Sequence, residues 1–330
     1  MHKPVFKTRL TDLLGIDHPV LCGGLMWLAD GKYVAAVANA GAASFISALT
    51  FNKGNELREQ IKICRDLCED KPFGVNLFIS GRGDEANERL KPLIDIVIDE
   101  KIPFVETAGG NPSSLVPPLK AANIKIIHKV PAVKFALSAE RAGVDAVTIV
   151  GAECGGHPGY MLIGSMISAA LGPQKLSIPV IIGGGIGTGS QLTAALTMGC
   201  DGVIMGTRML VASEIWAHSD YKARICEGDG MDTALVQQIF KHHRRVLDND
   251  AAKAVNELER QGITDFDQYA PWVKGENSAN AYTTGDTSQG MIDYGQSACF
   301  ANKIEPVEAI IDNFMDEARA ASQVIAKKLA

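Results

Sequence analysis

The chain has no apolar run approaching the ~18 residues that a membrane-spanning helix needs. Its opening, MHKPVFKTRLTDLLG, lacks both the apolar stretch and the small-residue cleavage site of a secretory signal. A cytoplasmic protein is expected. Charge of one sign is scarce too: 32 basic against 38 acidic residues leave a net charge of −6. That balance gives no electrostatic reason to bind phosphate backbones or anionic membranes, so nucleic acid is not expected as a partner. Paired cysteine spacings are missing. Cys22, Cys64, Cys68, Cys154, Cys200, Cys226 and Cys299 are odd in number and scattered, which fits free thiols in a reducing compartment and no metal site. Cys64 and Cys68 stand four apart on an expected helix, a spacing that suits buried packing. Also absent is G-x-G-x-x-G after the first strand, the usual mark of an open, doubly wound dinucleotide fold.

What is present is a repeat. Among the 330 residues, of which 46% are hydrophobic, eight short apolar runs are bounded by Gly, Asn or Pro. They are HPVLCG at 18–23, AASFIS at 42–47, FGVNLFIS at 73–80, PFVETA at 103–108, KIIHKV at 125–130, AVTIVG at 146–151, PVIIGG at 179–184 and GVIMGT at 202–207. Helical-period segments lie between them, as in repeated β-α units. The segment 54–70 sets Leu57, Ile61, Cys64 and Cys68 on one face, and 84–100 does the same with Leu90, Leu93, Ile94 and Val97. Pro92 either kinks the second helix or marks its start. Eight strands close a barrel, so the predicted fold is an α/β (β/α)8 TIM barrel, for which roughly 250 residues suffice.

After Thr207 the pattern changes. Helical stretches are predicted near 218–227, 230–247 and 249–261, followed by the Gly/Ser/Thr/Asn-rich passage GENSANAYTTGDTSQG and a last helix over about 305–329. The expected organisation is a barrel domain from 1–212 and 301–330, with 213–300 a mainly helical insertion.

In barrels of this kind the working residues stand where strands end. Those ends supply Gly24, Leu25 and Met26 after the first strand, Asn76 on the third, Glu106 on the fourth and Lys129 on the fifth. Gly155, Gly156 and His157 follow the sixth, Gly184, Gly185 and Ile186 the seventh, and Gly206 and Thr207 the eighth. Glycine turns after strands 7 and 8 expose backbone N–H groups where a phosphate sits against a helix N-terminus. His157, on a loop of minimal bulk, has the chemistry of a base, acid or hydrogen-bond donor. Lys129 suits either a Schiff-base nucleophile, with Glu106 as its acid/base partner, or a fixed positive charge beside an anionic cofactor. The tract His242-His243-Arg244-Arg245 reads as a solvated face.

The stretches GAECGGHPG (151–159), IGGGIGTG (182–189) and GVIMGTRML (202–210), with HPVLCGGLMWLA and HKVPAVKFALSAERAGVDAV, resemble the nitronate monooxygenase (2-nitropropane dioxygenase) family over nearly the whole chain. The late GDTSQG passage, and Cys154-x-x-His157-Pro158-Gly159, resemble a branch described as NADH:quinone reductases. The enoyl-acyl-carrier-protein reductase II enzymes are more distant. The resemblance implies noncovalent FMN, its phosphate at Gly184, Gly185, Gly206 and Thr207, its ring against Gly24, Leu25 and Met26, and Lys129 at the N1–C2 edge. There a positive charge stabilises the anionic reduced flavin. It also implies that His157 faces the substrate over the flavin as the catalytic residue. Two activities follow from it: oxidation of alkyl nitronates with O2 to carbonyl compounds and nitrite, or reduction of quinones by NAD(P)H, with Tyr282 to Gln289 over the nicotinamide. A third reading, from the residues alone, is an aldolase or isomerase built on Lys129. Periodicity picks out no exposed apolar helix face, and a homodimer stays open.

Overall fold

The computed structural model describes residues 6–80 and 84–328, with no side-chain description for 84–87. The first five residues of the opening segment, and the last residue of the predicted final helix, lie outside the described residues. Eight strands form a closed barrel in chain order: β1 (Val20–Cys22), β2 (Ala43–Ser47), β3 (Gly74–Ile79), β4 (Phe104–Gly109), β5 (Lys125–Val130), β6 (Ala146–Val150), β7 (Val180–Gly183) and β8 (Gly202–Met205). Every neighbouring pair is parallel, and β1 closes on β8 through Val20↔Val203, Leu21↔Ile204 and Cys22↔Met205. The chain is therefore a (β/α)8 barrel, and each of the eight predicted runs marks one strand, β4 reaching one residue past its run.

The helices are α1 (Arg9–Leu14), α2 (Gly31–Asn39), α3 (Glu56–Leu67), α4 (Asp84–Asp99), α5 (Val116–Ala121), α6 (Val133–Ala142), α7 (Ser165–Lys175) and α8 (Gly189–Thr197). Then follow α9 (Ser219–Cys226), α10 (Asp250–Arg260), α11 (Ala270–Val273), α12 (Gly275–Thr284) and α13 (Val307–Lys328). Pro92 lies inside α4, so it does not start that helix.

The barrel interior is filled from below. Leu21, Ala43, Phe45, Phe104, Ile127, Ala146, Ile181 and Ile204 point inward, and Leu10 and Leu14 of α1 plug the bottom with Ile16. Phe45 and Phe104 meet edge to face with ring centroids 5.7 Å apart. The space for both comes from Gly74, where a Cβ would stand 2.5 Å from the Phe45 ring. Burying such side chains is worth about 2 kcal/mol apiece, so the lower half of the barrel is a packed core and the chemistry is confined to the upper mouth.

Beyond Thr207 the structure departs from the predicted run of helices. Residues 230–247, expected as a helix, instead contain an antiparallel hairpin, β9 (Thr233–Val236) with β10 (Arg244–Leu247), in the register Arg244↔Val236 to Leu247↔Thr233. Conversely, the larger part of the Gly/Ser/Thr/Asn-rich passage is helical, as α12. The reason is tertiary: α12 buries Ser278, Ala281 and Tyr282, enough to hold residues of low helix propensity. The hairpin, α10 and α11 share a small core of Val236, Val246, Ala251, Ala252, Val255, Tyr269 and Met291. The chain leaves and rejoins the barrel at one point, where Ala212 bridges Glu305 and Arg208 meets the Glu305 carboxylate at 2.6 Å.

Candidate active site

The loop after β1 is held close to β3. At Gly24 a Cβ would fall 2.7 Å from Asn76 Cβ, so glycine is required for that approach. Met26 Sδ accepts from the hydroxyls of Ser47 and Thr50 at 3.6 and 3.7 Å. Trp27 adopts a left-handed φ of 69°, fixed by two hydrogen bonds: its N–H donates to Thr50 Oγ1, and its carbonyl accepts from Trp216 Nε1, each at 3.0 Å. Gly24, Leu25 and Met26 are left half-buried at the mouth.

Across the barrel, Asn76 Nδ2 donates to Glu106 Oε2 at 2.6 Å and Lys129 Nζ donates to the same oxygen at 3.0 Å. Register places them there: Asn76 pairs with Glu106 on β4, and Lys129 with Ala108 one layer higher. Glu106 is wholly buried, and its Oε1 has no protein partner. With its N–H engaged by a carboxylate, Lys129 is arranged as a fixed charge rather than as a free nucleophile.

The loops after β7 and β8 form an amide cradle. Gly184 and Gly185 have φ of 93° and 74°, a region that favours glycine, and a Cβ on Gly184 would lie 2.8 Å from Gly151 N. The N-terminal amides of α8 are already used: Gly187 and Thr188 donate to Gln191 Oε1, and Gly189 to Glu317 Oε2. The donors left over lie in the loop before the helix and after β8. Among the described residues, no protein acceptor meets the N–H of Gly185, Gly206 or Thr207, and a Cβ on Gly206 would enter open space. Ile186 contributes only backbone here, because its side chain is buried in the core. Thr207 Oγ1 accepts from Gly295 N at 2.9 Å.

The loop after β6 is stitched to the hairpin. Gly156 and Arg245 exchange main-chain hydrogen bonds of 2.9 and 2.6 Å, and Arg245 Nη2 and Nε donate to the Ala152 carbonyl at 3.0 and 3.2 Å. Gly155 admits the passing Tyr294-Gly295 backbone, since a Cβ would lie 2.8 Å from both amide nitrogens. Glu153 turns away from the mouth to cap α7, accepting from Ser165 N at 3.0 Å.

His157 then stands at the rim, enclosed by protein on its flanks and open to solvent through the mouth. Its ring centroid lies 4.5 Å from that of His242, with the planes tilted by 59°. Enclosure lowers the His157 pKa to about 4, opposed by Asp293 and aided by Arg244, His242 and Lys129; the imidazole is neutral at ordinary pH. Burial holds the neighbouring Cys154 thiol up at about 12, so it is no thiolate nucleophile.

The tract at 242–245 is only in part the solvated face predicted: His242 is exposed, but Arg244 and Arg245 are half-buried and paired. His242 meets His157, Arg244 Nε pairs with Asp293 Oδ1 at 2.7 Å, and Arg245 forms the seam. Sequence reasoning also passed over Gly295 and Asp293. No local signal marks any of these, because their partners lie far away in sequence. Tyr282 is buried edge-on against Tyr221, at 5.0 Å between centroids, and is not free to cover a nicotinamide.

A half-open barrel mouth with unpaired glycine amides, a lysine held as a fixed cation and an imidazole at its rim suits an anionic redox cofactor, and the comparisons with known proteins make the class a flavin-dependent oxidoreductase. Residues 7–317 match the nitronate monooxygenase family, and the chain belongs to it. It is 34% identical, over 78% of its length and 69% of the relative's, to (3aS,4S,5R,7aS)-5-hydroxy-7a-methyl-1-oxo-octahydro-1H-indene-4-carboxyl-CoA dehydrogenase of Rhodococcus jostii (strain RHA1). A probable nitronate monooxygenase of Staphylococcus aureus (strain MSSA476) is 29% identical over 94% of this chain and 97% of the relative. Among solved structures, FabK from Thermotoga maritima superposes with a TM-score of 0.89 at 32% identity, covering 98% of this chain and 100% of that one. Membership of this family displaces the aldolase reading. Among the described residues, no helix is long and apolar enough to cross a membrane.

Proposed function

We propose that the chain holds FMN in this mouth and oxidises nitroalkanes or their nitronates, with O2 as electron acceptor and a carbonyl compound and nitrite as products. The observation that carries the reading is the His157 imidazole at the rim of the barrel mouth, on the loop after β6, with the unpaired amides of Gly185, Gly206 and Thr207 on the loops after β7 and β8. A neutral imidazole is the form that takes a proton from the acidic C–H beside a nitro group.

The residues present fit the cofactor. The unpaired amides of Gly185, Gly206 and Thr207, with Gly184 beside them, suit a phosphate. Gly24, Leu25 and Met26, with Asn76 packed against Gly24, supply the wall on which a flat ring would lie near Lys129. Gly155 and Gly156 let the loop that carries His157 dock closely on the Tyr294-Gly295 backbone and on Arg245. FMN, when bound, supplies the two-electron sink and the route to O2. The protein's own part is to anchor the phosphate, to present Lys129 as a compensating charge and to exchange a proton at a ring nitrogen of His157.

A second reading, NAD(P)H-dependent reduction of a quinone or similar acceptor on the same cradle, is favoured by the 32% identity to FabK and the 34% identity to the CoA-ester dehydrogenase. Anaerobic rapid mixing of the flavin-loaded protein with propionate 3-nitronate, NADH or NADPH separates the two. Bleaching of the visible flavin band by the nitronate, with indifference to both nucleotides, is the expected result. Rapid bleaching by NADH or NADPH alone overturns it in favour of the reductase.

A further inference from the structure

The inward face of β4 changes character within one step. Phe104 belongs to the packed lower core, and Glu106, two residues on and on the same face, is a carboxylate with no exposure at all. Nothing in the stability of the barrel calls for a charge there, because a buried ion pair is often no better than an apolar pair of the same shape. The carboxylate is nevertheless held in place. Its Oε2 accepts from Asn76 Nδ2 at 2.6 Å and from Lys129 Nζ at 3.0 Å, so donors from β3 and β5 converge on one oxygen. Among the described residues, Glu106 is the one carboxylate within ion-pair distance of Lys129. The cation of the pair is placed differently. Lys129 stands one layer higher by register, with a quarter of its side chain exposed, and its charge acts on the Cys154 thiol and the His157 ring at the mouth. One half of the pair faces the mouth and the other lies beneath it.

We propose that Glu106 sets the reduction potential of the bound flavin by offsetting the charge of Lys129. The proposal rests on the FMN reading above and concerns how strongly the protein favours the reduced ring. Glu106 acts through Lys129, as a positioning residue. Anionic reduced flavin carries a charge that the oxidised ring lacks, so a lone ammonium beside it favours the reduced form and makes it reluctant to pass electrons on. A carboxylate 3.0 Å from that ammonium turns a single charge into a short dipole, whose field weakens faster with distance. Away from water that cancellation falls to the protein, since no solvent screens the cation from below. Asn76 has a part as well: its amide keeps the carboxylate turned toward Lys129.

Midpoint potentials of the full-length, FMN-loaded protein, measured anaerobically against a reference dye, test this without substrate. Glu106→Gln keeps the shape and an oxygen for Asn76 and Lys129 but removes the charge. It should move the balance between oxidised and reduced flavin about tenfold toward reduced, a rise of ~30 mV for a two-electron couple. Lys129→Met should move the balance the other way, and the double variant should return near the native value. Glu106→Asp retains the charge on a shorter stem and should stay closer to native than Glu106→Gln. Affinity for oxidised FMN, whose ring is uncharged, should change little in Glu106→Gln. A merely structural role would shift the melting temperature and leave the potential where it was. An unmoved or lowered potential in Glu106→Gln overturns the proposal while the FMN reading stands. Should Glu106→Gln fail to fold, Lys129→Met decides, and an unmoved potential there overturns the proposal equally. Failure of the native protein to take up FMN overturns the cofactor reading itself, and this inference with it.

Discussion

Lys129 and Glu106 form a salt bridge of 3.0 Å between neighbouring strands, in which the carboxylate is fully buried and the ammonium side chain a quarter exposed. The asymmetry matters. Glu106 has no access to water, and among the described residues only Lys129 and the amide of Asn76 donate to its carboxylate.

Lys129→Met strands a buried carboxylate. The expected loss is about 2 kcal/mol, below the 3–5 of a fully buried pair because Lys129 is partly solvated. The double variant Lys129→Met with Glu106→Gln should recover most of it, which a double-mutant cycle in urea measures. Additive losses would show that the pair does not interact.

Two glycines of the cradle should part company. Alanine at Gly206 meets nothing within 4 Å, so the apoprotein should melt as the native one does while FMN retention drops by tenfold or more. Alanine at Gly184 must adopt a φ of 93° and crowd Gly151 N, and it should cost about 1–3 kcal/mol of stability as well as the cofactor. Flavin fluorescence on dilution, beside thermal melts of the stripped protein, distinguishes them. Equal behaviour of the two variants would remove the distinction drawn here.

The barrel was legible because its strands are local statements: a short apolar run, bounded by Gly or Pro, is the same object in sequence and in space. The glycines at 184, 185 and 206 were legible for a related reason, as they follow the strands that position them. The hairpin was not. Residues such as Ala234, Leu235, Gln237 and Gln238 suit a helix, and what makes β9 and β10 strands is docking onto Gly156, a contact no window of neighbouring residues contains. His242 was missed for the same cause: its meaning depends on His157, which sequence periodicity cannot bring beside it.

A pH dependence follows from His128, which is 3% exposed and accepts or donates one hydrogen bond with Thr107 Oγ1. Burial lowers its pKa to about 4, against 6.5 for a free imidazole. Above pH 6.5 both folded and unfolded forms are neutral and the site is indifferent to pH. Between 6.5 and about 4 the unfolded chain takes up a proton that the folded one refuses, so stability falls as pH falls, by on the order of 3 kcal/mol at most. Chemical denaturation across that window, with His128→Asn expected to flatten the slope, tests it; an identical slope in the variant would assign the effect elsewhere.

Trp216 reaches from the segment beyond β8 to hold the carbonyl of Trp27, whose left-handed backbone shapes the loop after β1. Trp216→Phe removes that hydrogen bond and little else. It should lower stability by about 1 kcal/mol and weaken FMN binding several-fold through a looser Gly24–Met26 wall. Unaltered FMN affinity would show that Thr50 alone holds the loop.

The Gly156–Arg245 seam sets apart two kinds of change open to this lineage. The seven-residue turn between β9 and β10 can be rewritten under selection, bringing other side chains to the mouth, while the unpaired amides of the loops after β7 and β8 stay untouched. Substrate range in such proteins is then free to diverge faster than flavin chemistry, with the seam as the one stretch of backbone that both must keep.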